Sequence, residues 1–176
     1  MKSSAAIEWL ARALAILGGL VLVLITLLTV FSIIGRAFVR QGLGPIPGDF
    51  ELVEAMTAFA VFSFLPWCQL RGAHATVDVF TSFFPDSVNR LIDLLTEVLM
   101  TFAITLIAWR LWYGMTDKMR YNETTFILQF PVWWGFAAAM VAVCVAVLVS
   151  FYMTFIRIQE VVAGRSQFGP AEGGHS

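Results

Sequence analysis

Residues 71–78 read Arg71-Gly72-Ala73-His74-Ala75-Thr76-Val77-Asp78. Charged and polar side chains crowd together here, directly after an uncharged run at 55–70 and ahead of another apolar segment that opens at Leu91. The stretch reads as a polar turn at a membrane surface. Gly72 permits a tight exit from the preceding helix, and Arg71 lies where a long cationic side chain reaches the headgroups. Two apolar segments precede the turn and two follow it. The expected fold is therefore an all-α integral membrane protein with four transmembrane helices.

Composition agrees. Hydrophobic residues make up 59% of the 176 and charged residues 13%, with a mean hydropathy of +0.82. A soluble domain carries about 25% charged residues, so this chain lacks the charge to cover a water-exposed surface. A formal net charge of −1 offers no basic face, and no nucleic-acid partner is expected. Cys68 and Cys144 form neither a disulfide framework nor a Cys-x-x-Cys motif, and are expected as two free buried thiols.

Moving back from the turn, the second span is expected over 52–70. Trp67 and Arg71 stand one turn apart as an interfacial anchor pair, and Pro66 is expected to bend the helix near its far end. Asp49 occupies the N-cap position with Glu51 in the first turn, and Glu51 and Glu54 share a face. The breaker-rich loop 42–48 separates this helix from the first span, placed at 13–35. Its uncharged part, 13–34, reaches about 33 Å as a helix, enough to cross the hydrocarbon core and too long for the apolar part of a cleaved signal peptide. Gly35-Arg36 is read as its end, and Ala11, Ala15 and Gly19 as a small-residue ridge for close helix approach.

Moving forward, 77–84 is apolar but too short to span, and reads as an interfacial segment that Pro85 stops. Asp86 is the expected N-cap of the third helix. The third span, 90–113, carries Arg90, Asp93 and Glu97 on one face of its first two turns. The helical rise puts Asp93 about 5 Å and Glu97 about 10 Å below Arg90. Carboxylates at such depth must be paired, neutral or turned into protein. One reading is an ion or proton relay; the other is an ion pair with Arg90 or Arg157. Trp109, Trp112 and Tyr113 mark the far interface. The last uncharged run, 124–156, is longer than a bilayer core. Pro131 suits the first turn of a helix, so 124–130 reads as a second interfacial segment and 131–156 as the fourth span. Ala138, Ala142 and Ala146 form another small-residue ridge. The membrane domain is thus expected over 1–163, with a mobile polar tail at 164–176.

Four spans put both termini on one side. The terminal side holds Lys2, Arg12, Arg71, Arg90, Arg157 and Arg165, and the other side Arg36, Arg40, Arg110, Lys118 and Arg120. That balance does not set the orientation. His74 and His175 lie outside the spans, which disfavours a membrane haem. The sequence carries no metal-ligand cluster, Gly-rich phosphate loop or thiol pair, so no catalytic, metal or cofactor site is expected.

The Gly-Arg ending span one, Asp49 with Glu51-Leu52 opening span two, the turn with Arg71, Gly72, His74, Val77 and Asp78, and Pro131 opening span four together resemble the small membrane subunit of tripartite ATP-independent periplasmic (TRAP) transporters. The resemblance covers roughly residues 12–157, and the Arg-Gly-x-His-x-x-Val-Asp turn is its most specific part. One departure is Pro66-Trp67-Cys68, where the family usually has small residues. The resemblance implies a non-catalytic subunit in the bacterial inner membrane, with both termini cytoplasmic. It would serve a sodium-coupled importer of carboxylate solutes. Its partners would be a large membrane transport subunit, which it braces, a periplasmic solute-binding protein, and lipid. On that reading Arg71, Gly72, His74, Asp78, Asp93 and Glu97 are candidates for a structural turn or subunit interface, and Asp49, Glu51 and Glu54 for a periplasmic docking surface. The chain is expected to be a polypeptide separate from the large subunit. Rival readings are an independent four-helix membrane protein, such as a small channel or assembly factor, and the membrane anchor of a redox complex.

Overall fold

The first uncharged run forms the middle of one long helix, α1 (Lys2–Ala37). A single 3-10 turn at Val39–Gln41 leads to α2 (Asp49–Leu70), followed by α3 (Asp86–Arg120) and α4 (Trp133–Ala163). This computed structural model describes residues 2–71 and 86–163. Four stretches in it are long and apolar enough to cross a membrane: Ala5–Ala37, Asp49–Leu70, Leu91–Arg120 and Trp133–Gln159. The all-α, four-span expectation is met. The second-loop segment 77–84, the tail 164–176, and Gly72, His74 and Asp78 of the central turn lie outside the described residues.

The helices do not close into a square. α1 packs on α2, α2 on α4 and α4 on α3, with a lighter contact of α1 on α4. α2 and α4 form the middle of a row, flanked by α1 and α3. Ile7 and Ala11 of early α1 meet Trp67 and Leu70 of late α2 and Val149 and Met153 of late α4. These define one end of the bundle, here the proximal end. The starts of α2 and α4 and the finishes of α1 and α3 form the distal end. The core is built of small and branched residues, with Ala60, Ala139, Ala142, Val143 and Ala146 wholly enclosed. Lipid tails are as apolar as leucine, so close backbone approach, rather than burial of large side chains, holds such helices together.

The inward face of α1 runs Ala11, Leu14, Gly18, Val21, Ile25, Leu28, Ser32, Gly35, in alternating steps of three and four. That of α3 runs Leu94, Glu97, Thr101, Ile104, Ala108, Leu111, and that of α4 Gly135, Ala139, Ala142, Ala146, Val149, Met153. A mean step of 3.5 is the seam of a left-handed coiled pair. Both expected ridges are thus corrected in part. Ala11 belongs to its seam, but the close contact is at Gly18, not Gly19. A Cβ on Gly18 would stand 2.7 Å from Ser63 Cβ, while one on Gly19 would meet nothing within 4 Å. On α4, Ala142 and Ala146 face inward and Ala138 faces out.

Three further expectations are corrected. α1 continues past Gly35-Arg36 to Ala37. Gly35 instead gives the first loop room, because a Cβ there would stand on the Gly44 carbonyl. The N-cap of α2 is Gly48, at φ 75°, not Asp49. The Gly48 carbonyl takes the first helical hydrogen bond, from Leu52 N at 3.1 Å, and the Asp49 carboxylate is left for a neighbouring helix. Pro131 precedes α4 rather than lying in its first turn. It pairs with Thr124 as an antiparallel bridge, and its carbonyl accepts from Trp134 N at 3.2 Å. The cysteines are free as expected but not buried, Cys68 being half-buried and Cys144 exposed on the outer face of α4.

Candidate functional site

Among the described residues, the polar side chains that bond from one helix to another gather into two clasps, one at each end. The proximal clasp centres on Gln69, which is 1% exposed. Its Nε2 donates to Glu97 Oε1 of α3 at 2.6 Å. Its Oε1 accepts from Ser150 Oγ of α4 at 2.6 Å. Amide nitrogen and oxygen are thereby assigned by their partners, one an acceptor and the other a donor. Ser150 Oγ also lies 2.8 Å from the Ala146 carbonyl, so its single proton is shared. One helical turn further along α3, Thr101 Oγ1 meets Thr154 Oγ1 at 2.8 Å and the Ser150 carbonyl at 3.3 Å. Towards the proximal surface Asp93 pairs with Arg157 at 3.8 Å. Arg71 lies over the Trp67 ring, 4.6 Å from its centroid, an arrangement that keeps a cation at headgroup depth.

The expected carboxylates of α3 thus divide. Asp93, near the surface, takes the cation Arg157. Glu97, deeper, takes the amide of Gln69. The Gln69 amide supplies the deeper carboxylate with a donor that brings no second charge into the span. Among the described residues α3 rests mainly on α4, and the Gln69–Glu97 bond joins it to α2 as well.

The distal clasp is built on the first turn of α2. Asp49 accepts from Ser32 Oγ of α1 through a very short hydrogen bond. It also takes its neighbour's Phe50 N at 2.8 Å and lies 3.8 Å from Arg36 Nη2. Glu51 turns the opposite way. Its Oε1 accepts from Ile127 N at 2.7 Å and its Oε2 from Leu128 N at 3.0 Å. Leu128 packs so closely on Gly48 that a Cβ there would collide with its side chain. Lys118 and Glu123 close the base of the same loop at 2.5 Å. The three acids expected as one outward group are therefore not one group. Asp49 holds α1, Glu51 holds the α3–α4 loop, and Glu54 alone is exposed.

Gln69, Ser150, Thr101, Thr154 and Ser32 are missed when the spans are searched for charge alone. The available signal is polarity itself, since an amide or hydroxyl inside a spanning run needs a partner where no water supplies one. Among the described residues no cluster of three His, Cys, Asp or Glu side chains could hold a metal. What the clasps can do chemically is fix helices against one another.

Residues 25–160 match the family described as tripartite ATP-independent periplasmic transporters, DctQ component. No curated protein and no solved structure matches the chain. The matched stretch runs from the middle of α1 nearly to the end of α4 and includes both clasps, the central turn and all three loops. With four helices of spanning length over that stretch, this multi-pass chain belongs to the DctQ-component family, the small membrane permease component of TRAP transporters, and is a part that works in association with the transporter's other components.

Proposed function

We propose that the chain is the fixed brace of a sodium-coupled importer of organic-acid solutes in the bacterial inner membrane, holding the scaffold of the large transport subunit. Its termini face the cytoplasm and its distal end the periplasm. The observation that supports this reading is the destination of the polar groups within the spans. Gln69, Glu97, Ser150, Thr101 and Thr154 are engaged with neighbouring helices of the same chain. A brace needs helix geometry that does not change, and interhelical hydrogen bonds supply it in a medium without water. Arg71, Gly72, His74 and Asp78, with Asp93 and Glu97, set the proximal geometry on which the large subunit rests.

Proteoliposomes with an inward sodium gradient, carboxylate solutes and a soluble binding protein test this. No sustained uptake is expected from this chain alone, and uptake is expected when the large subunit is reconstituted with it. Uptake by this chain alone would overturn the reading.

On the same reading the distal end receives the periplasmic binding protein. Asp49 shapes that surface from beneath, and exposed Glu54 contributes charge to it. Rim charges act mainly on association rate. Glu54→Gln should slow uptake a few-fold at low salt and little at high salt, with the yield of the membrane complex unchanged on size-exclusion chromatography. The same slowing at every salt concentration would remove Glu54 from the docking surface.

A further inference from the structure

The α3–α4 loop is more ordered and more apolar than a connection at a water-exposed end needs to be. Residues 124–132 carry no charge. Phe126 is 96% exposed and Ile127 60% exposed, and Phe50 of the first turn of α2 is 75% exposed. Surface of this kind is costly in water.

Much of the loop's backbone is also satisfied from within. Thr125 N donates to the Phe130 carbonyl at 3.0 Å and Val132 N to the Glu123 carbonyl at 3.0 Å. Phe130 N donates to Thr125 Oγ1 at 3.3 Å, and Ile127 N and Leu128 N donate to Glu51. Gln129 Nε2 supplies the Phe126 carbonyl at 2.8 Å. Irregular backbone enters a low-dielectric layer only when its polar groups are satisfied from within.

Its level in the bundle is fixed as well. The stem is closed by the Thr124–Pro131 bridge just ahead of α4, and the tip rests on Gly48 and Glu51 at the start of α2. The hairpin therefore lies across the distal end at the height of the helix starts rather than projecting beyond them. Exposed Trp112 and Trp134 mark the membrane boundary at that same end. Arg110 and Arg120 are exposed on α3, where cations meet anionic headgroups.

We propose that residues 121–132 form a preassembled lipid anchor, in which Phe126 and Ile127 enter the boundary between headgroups and acyl chains and Glu51 is the positioning residue that holds them there. The bilayer is favoured over a protein partner because the patch stands at the aromatic boundary, at the same end as exposed Phe50, Trp112 and Trp134. The anchor is independent of the brace reading, since it acts in the chain alone.

The test uses the full chain with Cys68→Ala and Cys144→Ala, carrying Phe126→Cys or, separately, Ile127→Cys. Each is spin-labelled in nanodiscs of phosphatidylethanolamine and phosphatidylglycerol and checked for native helical content. Collision rates with oxygen, which partitions into lipid, and with a water-soluble nickel chelate are compared. Oxygen should exceed the chelate several-fold at both positions, and Glu51→Ala should reverse the ratio. A chelate rate at or above that of oxygen with Glu51 in place would overturn the anchor. So would suppression of both rates when the transporter's other membrane subunit is added, which would assign the hairpin to a protein interface. An unchanged ratio in Glu51→Ala would remove Glu51 from its positioning role. Should either cysteine variant fail to fold, the other gives the same reading.

Discussion

Gln69→Leu should lower the stability of the purified chain by about 2–3 kcal/mol and its melting temperature by about 5–10 °C. The side chain is fully enclosed and joins an acceptor on α3 to a donor on α4. Leucine fills a similar volume, so the loss is not a cavity effect. It is the removal of two hydrogen bonds from a place where water cannot replace them, with one donor to Glu97 gone. Membrane hydrogen bonds average nearer 0.6 kcal/mol apiece. The larger figure rests on the fact that one change strips partners from two helices at once. The surrounding variants separate these contributions. Ser150→Ala should cost less, because the Ser150 proton is already shared with the Ala146 carbonyl. Glu97→Gln keeps an acceptor for Gln69 and should melt close to the unaltered chain, whereas Glu97→Leu should not. A double-mutant cycle between Gln69→Leu and Ser150→Ala should show coupling of at least about 0.5 kcal/mol. Melting of Gln69→Leu within a degree or two of the parent would show that the clasp does not hold the helices.

What is legible in the sequence follows from how strongly the membrane constrains each feature. Four spans can be read because a run of about 20 apolar residues matches the thickness of the hydrocarbon core and seldom suits a soluble fold. The Asp93–Arg157 pair is legible as one of two options, because a charge near a span end must find a partner. Glu97 is legible as a residue needing support, from its depth alone. Its supporter is not. Gln69 stands in an uncharged run and looks like part of it, and nothing local says that it will face α3 and α4 together. Long-range backbone recognition is hidden for the same reason. Glu51 can be placed in the first turn of α2, where acids are common, but its bonds to Ile127 and Leu128 span 76 and 77 residues of chain. The N-cap of α2 is misplaced from sequence because an aspartate and a glycine stand side by side. The cap falls to the glycine because Ser32 and Arg36 of α1 draw the carboxylate away.

Gly18→Ala and Gly19→Ala should differ sharply although they change adjacent residues in the same way. The ridge expected from the sequence uses steps of four, through Ala11, Ala15 and Gly19. Each such step overshoots a 3.6-residue turn by about 40°, so a ridge of fours rotates away from a straight partner. Alternating threes and fours keeps pace with it, and that pattern selects Gly18. There the new Cβ would stand 2.7 Å from Ser63 Cβ and 3.3 Å from the Ala60 carbonyl. Ser63 has little freedom to retreat, since its own Oγ is bonded to the Phe59 carbonyl at 2.7 Å. The two helices must part, at a cost of about 1–3 kcal/mol, the usual range for overpacking. At Gly19 the methyl meets open space and replaces a flexible residue in mid-helix, so the change should be neutral or stabilising by about 0.5–1 kcal/mol. Thermal melts of the two purified variants check this, together with a cysteine cross-link between early α1 and late α2 that reports the seam directly. Gly18→Ala should lose cross-linking efficiency and Gly19→Ala should keep it. If Gly19→Ala proves the more damaging of the two, α1 presents a different face to α2, and the seam through Ala11, Leu14, Gly18 and Ser32 is wrong.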